Sequence, residues 1–206
     1  MKKIVIGIVV LALAAFAVDK FFFSKKAGAL EEQKQEALTI SKNSTAFNAS
    51  FEQLLNSYFA LKTGLTEYDT AKSNLAAKEM IGAADSLKTN EIKGDSTGTL
   101  KQTAADFAST MSGSAKGLTG ETDLVKKKRE FALISEALYN LIRTVKYDRQ
   151  KFYHQHCPMA FNDEEEAWWI SNSNVIANPY LGKKHPKYKA TMMECGDITD
   201  SLDFTK

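Results

Sequence analysis

The sequence predicts an all-α fold: an up-down four-helix bundle with an irregular C-terminal cap that carries a cluster of Cys, Met and His side chains. Three observations predict it. Apolar residues recur at three- and four-residue steps in four separate stretches, the spacing of one face of a helix. No proline occurs before Pro158, so nothing interrupts those stretches. After Pro158 the period is lost and turn-forming and aromatic residues take over.

The first element is not part of the fold. Lys2 and Lys3 precede an apolar run from Ile4 to Val18, and Ala15-Phe16-Ala17 has the small-x-small pattern of a signal-peptidase site. The run is shorter than the about 20 apolar residues of a membrane span. Residues 1–17 are therefore expected to be a signal peptide, with an uncleaved anchor over residues 4–23 as the alternative. Either way the body is expected to be exported, as a periplasmic protein that touches a membrane only through this segment. Residues 18–45 are polar and read as a tether.

The bundle is expected over residues 46–157. Phe51, Leu54, Leu55, Tyr58, Phe59 and Leu65 mark the first helix. The second starts near Asp69, a plausible N-cap, with Leu75, Ala76, Met80, Ala84 and Leu87 on its stripe. Asn90–Gly98 breaks the pattern, and Leu100, Ala104, Phe107, Met111, Ala115 and Leu118 resume it. The fourth helix is expected from Glu121 to Gln155, with Phe131, Ile134, Leu138, Leu141, Ile142 and Val145 inward. Met80 and Met111 fall on apolar stripes and read as core. Residues 158–206 form the expected cap over one end of the bundle, held down by Trp168 and Trp169.

Composition excludes several classes. Lys and Arg total 27 against 25 Asp and Glu, so no charge excess points to nucleic acid. The one basic run, residues 126–129, reads as a solvated helix face. The acidic run 163–166 lacks the alternation of a calcium loop and reads as a solvated turn. No Gly-rich phosphate loop, Gly-x-Ser-x-Gly or His-Glu-x-x-His occurs, and an enzyme is not expected.

The chemistry is concentrated between His154 and Cys195. Both cysteines, all three histidines and three of the six methionines lie there. If helix persists to Cys157, His154 and Cys157 share a face, and Met192 and Cys195 have the same three-residue spacing. Folding the second pair over the first would gather Cys157, Met159, Met192 and Cys195 with His154 and His156. Thiolate and thioether donors suit Cu(I). Zn(II) would instead use Cys157, Cys195, His154 and His156 in a tetrahedron. The alternative is a Cys157–Cys195 disulfide that staples the cap to the bundle, leaving a helical interaction module without metal. His185, in a basic loop, reads as a surface residue.

These residues also carry a resemblance. Residues 157–160 (Cys-Pro-Met-Ala), 169–171 (Trp-Ile-Ser), 176–182 (Ile-Ala-Asn-Pro-Tyr-Leu-Gly) and 192–196 (Met-Met-Glu-Cys-Gly) resemble, in that order, the bacterial domain of unknown function 3347. Residues 58–62 and 131–138 are similar to its helical part, so the resemblance spans roughly residues 48–200. It implies an exported helical domain linked to copper or related metal handling, found alone and fused to periplasmic adaptor subunits of heavy-metal efflux pumps. Heavy-metal efflux components are then the implied partners. Matched position by position, Cys157, Met159, Met192 and Cys195 carry the motif's sulfur donors. The Lys183–Thr191 stretch is longer than in adaptor-fused copies, so the resemblance assigns His185 no role.

Overall fold

A computed structural model describes residues 43–205; the expected signal peptide and most of the expected tether lie outside them. Four helices follow: α1 (Thr45–Glu67), α2 (Thr70–Asp85), α3 (Thr99–Gly120) and α4 (Leu124–Val145), with a short 3₁₀ turn at Thr89–Glu91. Ser44, Asp69 and Asp123 cap α1, α2 and α4 by accepting the backbone N–H three residues on, satisfying donors a helix start leaves free. Consecutive helices pack against one another, and their stripes meet in a core that includes Phe51, Leu54, Tyr58, Met80, Met111, Phe131 and Leu138. None of the helices among the described residues is long and apolar enough to cross a membrane.

The all-α expectation fails after α4. That helix stops at Val145, where Lys146 turns left-handed, and does not run on to Gln155. The next residues form three strands, β1 (Phe152–Phe161), β2 (Glu165–Ser171) and β3 (Asp197–Leu202), in one antiparallel sheet ordered β2-β1-β3. The fold is therefore mixed, four helices with a three-stranded sheet. The cap is neither irregular throughout nor confined to one end of the bundle. It lies along α1 and α4, touching them from Tyr58 to Lys62 and from Lys128 to Tyr139.

β2 is an edge strand whose free edge faces inward. Tyr58 Oη accepts the Ile170 N–H at 2.9 Å, and Tyr180 Oη donates to Trp168 O at 2.5 Å. Two tyrosine hydroxyls thus satisfy backbone groups that a missing neighbour strand would leave bare. Trp169, fully buried, packs edge-on against Tyr180. Between β2 and β3 the chain runs through residues 172–196, and Gln155 anchors that loop by donating to Ser173 O and Val175 O.

Two further expectations are corrected by burial. Leu75 points outward and is 61% exposed. The basic run is no uniformly solvated face, because Lys127 and Lys128 are buried. Lys127 Nζ donates to Asn74 Oδ1 at 2.8 Å and Leu118 O at 2.7 Å, tying the start of α4 to α2 and to the end of α3.

Candidate functional site

The alternation of β1 decides which donors meet. In its register with β2, His154 faces Ile170, Gln155 faces Trp169, His156 faces Trp168 and Cys157 faces Ala167. Side chains of a strand alternate between its faces. His154 and His156 therefore lie on one face, and Gln155 and Cys157 on the other. The three-residue spacing that would bring His154 and Cys157 together on a helix separates them on a strand.

The imidazole face looks toward α4. His154 stacks on Tyr139 with ring centroids 4.0 Å apart, and its Nδ1 lies 3.3 Å from Thr199 Oγ1. Burial holds its pKa below the ordinary value, so the ring is neutral at pH 7. His156 stacks on Trp168 at 4.7 Å and sits between two carboxylates, with Nδ1 2.9 Å from Asp197 and Nε2 3.1 Å from Glu166. Both of its ring nitrogens are engaged, and on opposite sides.

The thiol face is covered by the 172–196 loop. Cys157 is fully buried, and the groups that act on its thiol include the Asn178 side chain, the Met159 backbone and the neighbouring Cys195 thiol. Both cysteines are free thiols here. Cys195 arrives on a tight turn in which Met193 N–H donates to Ala190 O and Cys195 N–H to Met192 O. Gly196 follows with φ of 140°, a backbone conformation few other residues adopt, and a Cβ there would strike His156 O. Glycine is what lets the returning chain press this closely onto β1.

Asn178 organises the approach. Its Oδ1 accepts from Tyr180 N at 2.8 Å and Leu181 N at 2.9 Å, its Nδ2 donates to Cys195 O at 2.8 Å, and its own backbone N–H donates to Met193 O. One fully buried amide thus ties the turn at Tyr180 and Leu181 to the returning segment at Met193 and Cys195, beside Cys157. Asn178 does not stand out among the sulfur and imidazole donors, because an amide is a poor ligand for a soft metal. Its signal was the turn sequence Asn-Pro-Tyr-Leu-Gly at 178–182, which places a side-chain acceptor ahead of two free N–H groups.

Burial raises the Cys157 pKa, the Asn178 amide and the Met159 N–H work against that, and the neighbouring Cys195 adds to it. The net direction is upward, so Cys157 is a neutral thiol at pH 7. Met159 and Met192 are half-buried and pack against the edge of the core, each on the segment that carries one of the cysteines. Of the six expected donors, the structure makes Cys157 and Cys195 neighbours, sets Met159 and Met192 on the same two segments, and puts His154 and His156 on the other face. Among the described residues, no three His, Cys, Asp or Glu side chains form a group able to hold a metal ion. His185 lies on the loop, stacked on Tyr188 at 5.1 Å, and takes no part in the thiol pair.

Residues 54–150 match the family described as protein of unknown function (DUF3347). The bundle belongs to the DUF3347 family. The match runs from Leu54 in α1 to Gln150, just before β1, so the DUF3347 match covers most of the helical part and the thiol pair lies outside it. Comparison with curated proteins finds no match, and comparison with solved structures finds none.

Proposed function

We propose that the protein is an exported binding protein whose Cys157–Cys195 pair takes up a thiophilic ion, Cu(I), to buffer it or pass it to heavy-metal efflux components. The observation that supports this reading best is that two free thiols from distant segments are neighbours beneath a loop that brings Met192 with it. Two thiolates satisfy Cu(I), which tolerates low coordination, and a thioether from Met159 or Met192 can add a third soft donor without losing a proton. Zn(II) fits less well, because a structural site needs four donors and the imidazoles are turned away. Binding requires both thiols to ionise. The metal would take the place of the proton, and the Asn178 amide and Met159 N–H already favour the charged sulfur. Full burial and a raised pKa speak against Cys157 as a catalytic nucleophile.

The second reading is a disulfide-stapled interaction module. The burial of Cys157 favours it, since a disulfide is neutral and suits an apolar site. Closing the bond would pin the loop to β1 and stabilise the fold by about 2–4 kcal/mol.

A thiol count on unreduced protein, followed by reduction and competition against a colorimetric Cu(I) chelator, separates the two. Uptake of one Cu(I) per chain, lost in Cys157→Ser and in Cys195→Ser, supports the metal reading. A stable disulfide with no uptake after reduction leaves the stapled module.

A further inference from the structure

A second site lies away from the thiols, where the start of α4, the β1–β2 turn and the 180–187 loop enclose a cavity of about 300 Å³. Leu124, Val125, Phe161 and Pro186 give it apolar walls. Lys128 lines it as well, and this lysine is 4% exposed. Its ammonium donates to Tyr180 O at 2.6 Å and sits 3.8 Å from the centre of the Tyr68 ring. Among the described residues no carboxylate pairs with it.

An ammonium held by one carbonyl and one ring face lacks a counter-ion, and a buried charge is costly unless paired. The other charged or titratable groups on the cavity do not supply one. Asp163 is already paired with Lys187, and burial keeps the His185 imidazole below its ordinary pKa, so it adds no charge at pH 7. With Lys128 protonated, the site is therefore net positive within an apolar shell. We infer that this cavity binds a small organic carboxylate, its acid group paired with the Lys128 ammonium and its apolar body against Leu124, Val125, Phe161 and Pro186. The volume is at the lower end of the about 300–1,000 Å³ typical of ligand sites, which suits a single ring or a short branched chain. Burial also pushes the Lys128 pKa down to about 7, the direction expected of a cation whose partner has yet to arrive.

Titration calorimetry of the purified full chain at about pH 6, where Lys128 is protonated and the acids are ionised, with benzoate and 3-phenylpropionate and with the uncharged benzamide and 3-phenylpropionamide, tests the inference. The acids should bind at least about tenfold more tightly than the amides, the scale of one charge-assisted contact. Lys128→Met should abolish that preference. Val125→Trp, at a half-exposed wall position, should block the cavity without touching the ammonium, and it decides the matter alone if Lys128→Met does not fold. Equal binding of acids and amides, undiminished binding by the Val125→Trp variant, or no binding of either acid at millimolar concentration overturns the inference.

Discussion

The Tyr58 hydroxyl accepts the Ile170 backbone N–H at 2.9 Å and shares a second hydrogen bond of 2.8 Å with Ser135. One side chain of α1 therefore joins β2 to α4. Phe131 stacks on its ring at 5.3 Å, so the polar junction is sealed inside the core.

Replacing Tyr58 by Phe keeps the ring and removes the acceptor. The Ile170 N–H is then buried without a partner, a loss of about 1–3 kcal/mol. Chemical denaturation should show a lower midpoint with an unchanged slope. An unchanged midpoint would mean that the sheet edge finds another partner.

The placement of the imidazoles makes a sharp expectation for metal uptake. His154→Ala and His156→Ala should take up Cu(I) as the wild type does, because both rings lie on the face away from the thiols. Cys157→Ser and Cys195→Ser should lose tight binding, since a hydroxyl is a hard donor. Met159→Leu or Met192→Leu should weaken uptake while the melting temperature stays near wild type, because size and apolarity are kept. Chelator competition reads all six variants, and loss of uptake in either histidine variant would place a nitrogen donor at the metal.

Stability should rise with pH through the neutral and mildly alkaline range. Burial lowers Lys128 from 10.5 to about 7 and Lys62 from 10.5 to about 8. Between those values the unfolded chain binds more protons than the folded one, so unfolding becomes harder as pH increases. Their contribution is complete above pH 10.5 and is lost as pH falls through 8 and then 7. Tyr58 and Tyr180 act in the opposite sense. Burial raises both, so their contribution is complete below pH 10.0 and is lost above it. Denaturation curves from pH 6 to 11 should rise through pH 8 and 9 and place the maximum close to pH 10, where the tyrosines begin to oppose the lysines. In Lys128→Met the rise above pH 7 should be smaller.

Gly196→Ala tests how closely the loop must press on β1. The new Cβ meets His156 O in a backbone conformation that already disfavours a side chain. A loss of about 1–3 kcal/mol is expected from the strained backbone alone. The Cys195 thiol should also become more reactive toward a thiol reagent in the folded state, and unchanged reactivity would show that the loop can shift without releasing Cys195.

The helices were legible because each buries one stripe, and Phe51 to Leu65 or Phe131 to Val145 repeat that stripe over several turns. The sheet was not, because β1 is buried on both faces. Phe152, His154, Gln155 and Cys157 are all inside, so the strand lacks the alternation that marks a half-exposed one. The hairpin did leave a trace. Asn162 and Asp163, both left-handed, sit where the chain reverses between β1 and β2, and the acidic run counted as a solvated turn includes the start of β2. The nearness of the two cysteines was legible from residue type alone, as donors of one kind crowded into one segment. His154 was misplaced with the secondary structure, because a helix puts three-residue neighbours on one face and a strand puts them on opposite faces.

With its inner edge occupied by tyrosine hydroxyls, the sheet offers another chain, among the described residues, only the β3 edge. That strand exposes all but the last of its six residues and carries Asp197 and Asp200, with Asp203 directly after it. A strand approaching from a second molecule would have to desolvate these carboxylates, and a second copy's own β3 would add like charge. The arrangement lets a small sheet sit beside a helical bundle without offering neighbours an edge on which to aggregate.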